Sequence, residues 1–385
     1  MTQYWQQLMN EAQQLRRQLH SEPELGWQET DTAARIRDRL TRLDIPWRAC
    51  AATGTVATLR ADAQGWHTAL RGDIDALPIH ERTELTWQSN RAGCMHACGH
   101  DGHTATLLTT AAWLKRNEAH LKGPVTLIFQ PAEEGGHGAR EMINDGALEG
   151  VERIYGWHNW PAIEFGKLVC PDGIVMCGNG TFEVALTGVG GHASQPELCR
   201  DPVLAASALV QALQQIVSRR LAPQQATVVS VTSIDAPSAP TVIPEKAVIG
   251  GSIRVSDQSA RERVNALIED IAQQVAAAYG VEASVTITPR YHPTINHPSA
   301  AQSVREAWGE LYGSDSLDHS TAVPIMASED FSYYLREIPG AFALIGADDG
   351  EAHRHPCHSP YYDFNDRLLE PVTRLYSQLV QAPLP

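Results

Sequence analysis

Trp5, Leu8, Met9, Ala12, Leu15 and Leu19 recur at three- and four-residue intervals, which predicts an amphipathic helix ending before the turn at 23–26. A second helix is expected over 30–43. Short apolar or β-branched runs follow at 55–59, 68–71, 125–129 and 151–155, with a helical stretch at 104–114 among them. Strands that alternate with helices predict a largely parallel sheet covered on both faces.

The rhythm changes near residue 181. Strand 181–186, helix 202–221, strands 227–233 and 246–255, helix 261–279 and strand 283–288 make a β-α-β-β-α-β unit, the ferredoxin-like arrangement. After Pro293 the chain returns to a helix at 299–311, an apolar strand at 341–345 and a final helix at 367–379. The expected organisation is a discontinuous domain, 1–180 with 293–385, interrupted by an inserted domain at 181–292. A chain of 385 residues exceeds what one hydrophobic core usually serves, so two domains are the natural division.

Composition narrows the choice of partners. Hydrophobic residues make up 43% and charged residues 19%, with no low-complexity tract, which excludes disorder and fibrous repeats. A net charge of −15 argues against nucleic acid and anionic membranes and leaves small molecules as the expected partners. The N-terminal segment lacks a signal-peptide pattern and no run of 18 apolar residues occurs, so a cytoplasmic protein is expected. Seven cysteines are an odd set, which reads as reduced thiols and not as a disulfide framework.

Several short segments carry chemistry. The stretch MHACGHDGH at 95–103 packs three imidazoles, a thiol and a carboxylate into nine positions, and its glycines let Cys98 and His100 reach one pair of ions. The alternatives are a surface loop with incidental histidines, or a thiol hydrolase in which His96 or His100 activates Cys98. The stretch QPAEEGG at 130–136 follows an apolar strand, and ligands in α/β sheets gather at the carboxyl ends of strands. Two adjacent carboxylates repel one another unless one meets a cation, which would leave the other free to accept a proton.

His158, among bulky aromatics, reads by itself as a core histidine. Near the C-terminus, His353, His355 and His358 offer three candidates. In RGDIDALP at 71–78, one aspartate could orient a metal-bound histidine. In GGHAS at 190–194, His192 could close over a substrate.

Together these motifs resemble the metal-dependent aminoacylases and amidohydrolases that include hippurate hydrolase and the plant hydrolases of auxin–amino acid conjugates. The resemblance runs almost end to end, through RQLHSEPE at 17–24, RGDIDALP, MHACGHDGH, QPAEEGG, GGHASQP at 190–196, SEDFSYY at 328–334 and HSPYYDFND at 358–366. It implies two divalent ions per subunit, manganese or zinc, alternatively cobalt or nickel, held by Cys98, His100, Glu134, His158 and His358. It also implies Glu133 as general base on a metal-bridging water.

The inserted domain would be a lid and the contact of a homodimer, with His192 reaching the partner subunit's site to stabilise the oxyanion. The implied reaction cleaves an N-acyl amino acid, an N-acetyl one foremost, into a carboxylate and a free amino acid. The alternatives are a dipeptidase or carboxypeptidase, or a deacetylase of an N-acetylated diamino acid. Thr241 stands where the family has Asn, and Ala327 where it often has Gly. The acidic segment 348–351 could select a cationic substrate side chain or simply be solvated.

Overall fold

A computed structural model describes residues 2–350 and 352–384, so Glu351 of the acidic segment lies outside the described residues. The chain divides into two compact units. The first holds the chain up to Val175, Ile295–Val323 and the residues from Asp330 onward, and the second holds Met176–Thr294 and Pro324–Glu329. The short return at Pro324–Glu329 is absent from the sequence-based division. The seam also falls at 175/176 instead of 180/181.

The first unit is built on a seven-stranded sheet in the order Trp47–Cys50, Gly54–Leu59, Val125–Gln130, Thr68–Asp73, Arg153–Glu164, Gly340–Asp348, Leu168–Val169. The four strands from Val125–Gln130 to Gly340–Asp348 run parallel, and the flanking pairs are antiparallel. The fold is therefore mixed α/β with a largely parallel centre, as its pattern predicts. Strands Thr68–Asp73 and Val125–Gln130 are buried at every position, so neither shows a polar–apolar alternation, and the charged Arg71 and Asp73 are buried along with their apolar neighbours.

Helix His100–Arg116 is buried from His100 to Leu114, so it shows no polar stripe. Its interior threonines hand their hydroxyls to carbonyls one turn back, Thr106 to Gly102 at 2.7 Å and Thr110 to Thr106 at 2.9 Å. This helix starts four residues before the predicted 104, so the candidate ligand His100 is its first residue. Leu107, Ala111 and Leu114 share one core with Leu15 and Leu19 of helix Thr2–Ser21, with Val372 and Leu375 of helix Leu369–Leu379, and with Leu70, Leu127 and Phe129 of the sheet.

One expected boundary is wrong in a way that matters for the site. The strand predicted at 151–155 runs as Arg153–Glu164, so His158 lies inside a strand and not in a loop after one. The pattern breaks at Gly156 because the Phe331 and Phe342 rings occupy the space where its side chain would stand. Pairing with Gly340–Asp348 nevertheless continues, and Leu344 lies opposite His158.

In the second unit, strands Thr227–Asp235, Lys246–Val255, Gly178–Thr187 and Glu282–Pro289 form an antiparallel sheet in that order, joined by helices Pro202–Leu213 and Gln258–Tyr279 in the β-α-β-β-α-β sequence. Alternate residues of Gly178–Thr187 and Lys246–Val255 are buried, and Phe182, Val184, Ile249 and Ile253 meet Leu209, Leu213, Val264 and Ile268 in the core. Asp201 and Asp257 cap the two helices by accepting backbone N–H groups. The first helix ends at Leu213 and gives way to a π-turn at Ile216–Arg220, shorter than the predicted 202–221. No helix among the described residues is long and apolar enough to cross a membrane.

Candidate metal centre

The ends of the parallel strands deliver the polar side chains to one place. Asp73 ends its strand and lies in register with Gln130, the last residue of the neighbouring strand, so the segments 74–78 and 131–137 leave the sheet side by side. Asp75 then ties them together. Its Oδ2 accepts the Glu134 backbone N–H at 2.9 Å, while its backbone carbonyl accepts the His100 Nδ1 proton at 2.9 Å, with Oδ1 3.3 Å from the same nitrogen. Asp75 thus holds the His100 ring chiefly through its backbone carbonyl, where the sequence led one to expect a carboxylate of RGDIDALP to do so.

Gly99 makes the turn into the helix at φ +95, and a Cβ there would strike Asn159 Oδ1 and the Tyr362 hydroxyl, so only glycine fits. With the His100 Nδ1 proton donated to Asp75, Nε2 is the nitrogen left to present a lone pair to a cation once it gives up its proton, and it lies 3.6 Å from Asp73 Oδ2. That nitrogen is buried without a hydrogen-bond partner. His158 is prepared in the same way: Nδ1 donates to the Asn159 carbonyl at 2.6 Å, and Nε2 lies 3.2 Å from Cys98 Sγ. His358 comes from far along the chain, held by its backbone N–H on the Ala97 carbonyl at 2.7 Å, and its Nε2 is 3.0 Å from Glu134 Oε1.

Donor atoms of Cys98, His100 and His158 lie within 4.8 Å of one another, and so do those of Cys98, Glu134 and His358 and those of His100, Glu133 and Glu134. The first two groups share Cys98. Two adjacent sets of N, S and O donors joined through one thiol, with two imidazoles fixed in the ligating tautomer, fit a pair of borderline divalent cations. The other imidazoles of the motif differ. His103 groups with Asp73 and His100 but has both nitrogens engaged, with Asp73 Oδ1 at 2.6 Å and Asn159 Oδ1 at 2.8 Å, and His96 is buried and belongs to no such donor group.

Electrostatics follow the same geometry. Burial opposes charge on His100, but Asp73 and Asp75 outweigh it and lift its pKa to about 10. Burial, then the His103 ring, holds His158 well below the usual imidazole range. The Cys357 thiol, then burial, pushes the Cys98 thiol well above its ordinary value, which makes it a poor unassisted nucleophile. Burial works against ionised Glu134, yet the hydrogen bond from His358 and the charge of His100 bring its pKa down. A cation here replaces protons that the apoprotein must otherwise hold.

Residues 69–382 match the model of peptidase family M20/M25/M40. The chain belongs to the M20 peptidase family. It is 40% identical over 360 residues to IAA-amino acid hydrolase ILR1-like 2 of Arabidopsis thaliana, covering 92% of this chain and 81% of that protein. It is equally 40% identical over 343 residues to N-acetyl-L-cysteine deacetylase of Bacillus subtilis, covering 89% and 82%. The crystal structure of the Bacillus subtilis YXEP protein, a dinuclear metal-binding M20 peptidase, superposes with a TM-score of 0.85 at 32% identity and covers 97% of this chain and 98% of that one. This M20 protein is thus a metal-dependent hydrolase of a dinuclear metal-binding family.

Two sequence-derived candidates lie elsewhere or remain partly described. His192 is in the second unit, exposed, on the two-residue strand Gly191–His192 opposite Val242–Ile243. Its Nδ1 accepts the Ser194 backbone N–H at 3.1 Å. Thr241, the departure from the family pattern, accepts the Ala193 N–H through its carbonyl at 2.9 Å, a bond that any residue supplies. In the acidic segment, Asp349 is bound to His353 Nδ1 at 2.7 Å and Asp348 to the Gly350 N–H at 2.8 Å. Sequence reasoning missed the Asn159 side chain, which joins His103 to Tyr362, and the roles of Arg71 and Asp330, whose only signal was their place in RGDIDALP and SEDFSYY.

Proposed function

We propose that this protein hydrolyses the amide bond of N-acyl amino acids, an N-acetyl or other short acyl group foremost, with Glu133 as the general base. The observation that carries the proposal is a buried Glu133 whose carboxylate lies within 4.8 Å of donor atoms of His100 and Glu134 and accepts the Asp330 N–H at 3.2 Å. Cys98, His100, Glu134, His158 and His358 would hold two divalent ions per subunit, with manganese or zinc favoured and cobalt or nickel as alternatives. Such ions supply the Lewis acidity that polarises a scissile carbonyl and acidifies water. Glu133 takes the proton from the attacking water and returns it to the leaving nitrogen. The names of the relatives, which pair an acyl group with an amino acid, support this substrate class.

His192 would supply the oxyanion donor. Because its Nδ1 accepts a backbone proton, the neutral ring carries its own proton on Nε2, where it can be donated. The unit that holds it would serve as lid and dimer contact in a cytoplasmic homodimer. Glu133→Gln should retain full metal content, measured by elemental analysis, while turnover of N-acetyl amino acids falls ~10²- to 10⁴-fold. Turnover within a few-fold of the parent would end the general-base assignment. Dipeptides in the same assay test the peptidase alternative.

A further inference from the structure

The motifs RGDIDALP and SEDFSYY contribute Arg71 and Asp330, which are 259 residues apart, fully buried and outside every role assigned above. Asp330 meets the segment that carries Glu133 at three points. Its backbone N–H donates to Glu133 Oε1 at 3.2 Å. Its carboxylate accepts the Gln130 Nε2 protons at 2.9 and 3.1 Å, at the strand end before that segment. Oδ2 also accepts the Ala139 N–H at 2.9 Å, at the start of helix Gly138–Asn144 just after it.

Arg71 supplies the countercharge. Its Nη2 reaches Asp330 Oδ1 at 3.2 Å, its Nε donates to Gln130 Oε1 at 2.9 Å and its Nη1 to Asp73 Oδ2 at 2.6 Å, and Asp73 in turn holds His103. One carboxylate thus fastens both ends of the 131–138 segment, and the same residue's amide holds the carboxylate at its centre.

We propose that Asp330, anchored by Arg71 and Gln130, is a positioning residue that aims the Glu133 carboxylate. The inference rests on the reading of Glu133 as general base. A buried ion pair is weak evidence for stability, whereas fixing one geometry among several is a use that such pairs can have. A base displaced by about an ångström forfeits much of its effect, since proton transfer needs hydrogen-bond reach.

Asp330→Asn keeps the shape but turns one acceptor into a donor that faces the protons of Gln130, Arg71 or Ala139, so the clamp loosens. The expected result is a fall in kcat of about tenfold or more, with KM within about twofold and the metal-to-protein ratio unchanged. In a Glu133→Gln background the same change should cost nothing further, because its effect passes through the missing base. Gln130→Met, which removes one anchor at similar volume, should show the same signature at a few-fold in kcat and serves as the test if Asp330→Asn fails to fold.

An unchanged kcat in the folded variants overturns the inference. So does an equal further loss in the Glu133→Gln background, or a loss of metal, since each would mark a merely structural role. High activity of Glu133→Gln alone would instead defeat the general-base reading and be recognised as such.

Discussion

At the scale of single residues, the site depends on side chains that each settle two things at once. Asp75 fixes the His100 tautomer and the Glu134 backbone together. Glu29 does the same for the other side of that loop: its Oε1 accepts the Ala132 N–H at 2.8 Å and its Oε2 the Thr53 hydroxyl at 2.7 Å. Ala132 sits at φ +51, a left-handed conformation that alanine rarely adopts, so the Glu29 bond helps to hold strained backbone next to Glu133.

Burial first, and the charge of Asp75 second, raise the Glu29 pKa from 4.5 to about 7 against those two hydrogen bonds. A carboxyl whose pKa is raised by folding contributes stability that is fully present below its ordinary value and lost as pH climbs through about 7. Glu29→Gln, whose amide oxygen accepts the Ala132 N–H while its NH2 donates to a reoriented Thr53 hydroxyl, should therefore lose less stability than the parent between pH ~5 and ~8, by a few kcal/mol at most, since one pKa unit is worth ~1.4 kcal/mol. Urea midpoints at the two pH values, with metal content matched, provide the check. Identical pH dependence in the two proteins would refute it.

At the scale of elements, the helix His100–Arg116 is the piece on which the site stands. It is surrounded by protein, and Gly102, two residues after the candidate ligand His100, leaves the space that the Phe364 ring occupies. Gly102→Ala improves helix propensity and yet should destabilise the protein by ~1–3 kcal/mol, because the added methyl must displace a buried ring. A lowered midpoint of thermal or urea unfolding is expected. A raised one would mean that propensity governs this position. The strand Arg153–Glu164 teaches the converse lesson: a glycine that looks like a terminator is there to admit two phenylalanine rings, and the strand runs on through His158.

At the scale of the whole molecule, the proposal of a homodimer whose sites each borrow His192 from the other subunit makes a quantitative prediction. Under that proposal, protein carrying His192→Ala and protein carrying Glu133→Gln should each be defective. When their subunits exchange at random, half of the dimers are mixed and each holds one intact site, so about a quarter of parental activity should return. If subunit exchange is demonstrated by mass and activity stays at the level of the separate variants, each subunit completes its own site.

The sequence by itself determined the mixed α/β class and the βαββαβ unit, which rest on local patterning, and it supplied candidate donors through clusters such as 95–103 that packing alone seldom requires. It could name His158 and His358 only through family resemblance. One is buried in a strand whose length is decided by its partner Gly340–Asp348, and the other arrives by a backbone bond to Ala97 from 261 residues away. Tertiary structure alone decided which imidazoles of the motif present a lone pair. A histidine's role turns on what holds its other nitrogen, and Asp75, Asp73 and Asn159 reach those rings only across the folded sheet. It also brought Asp330 to Glu133 and Arg71 to Asp330, a juxtaposition of residues distant in the chain that no local pattern encodes.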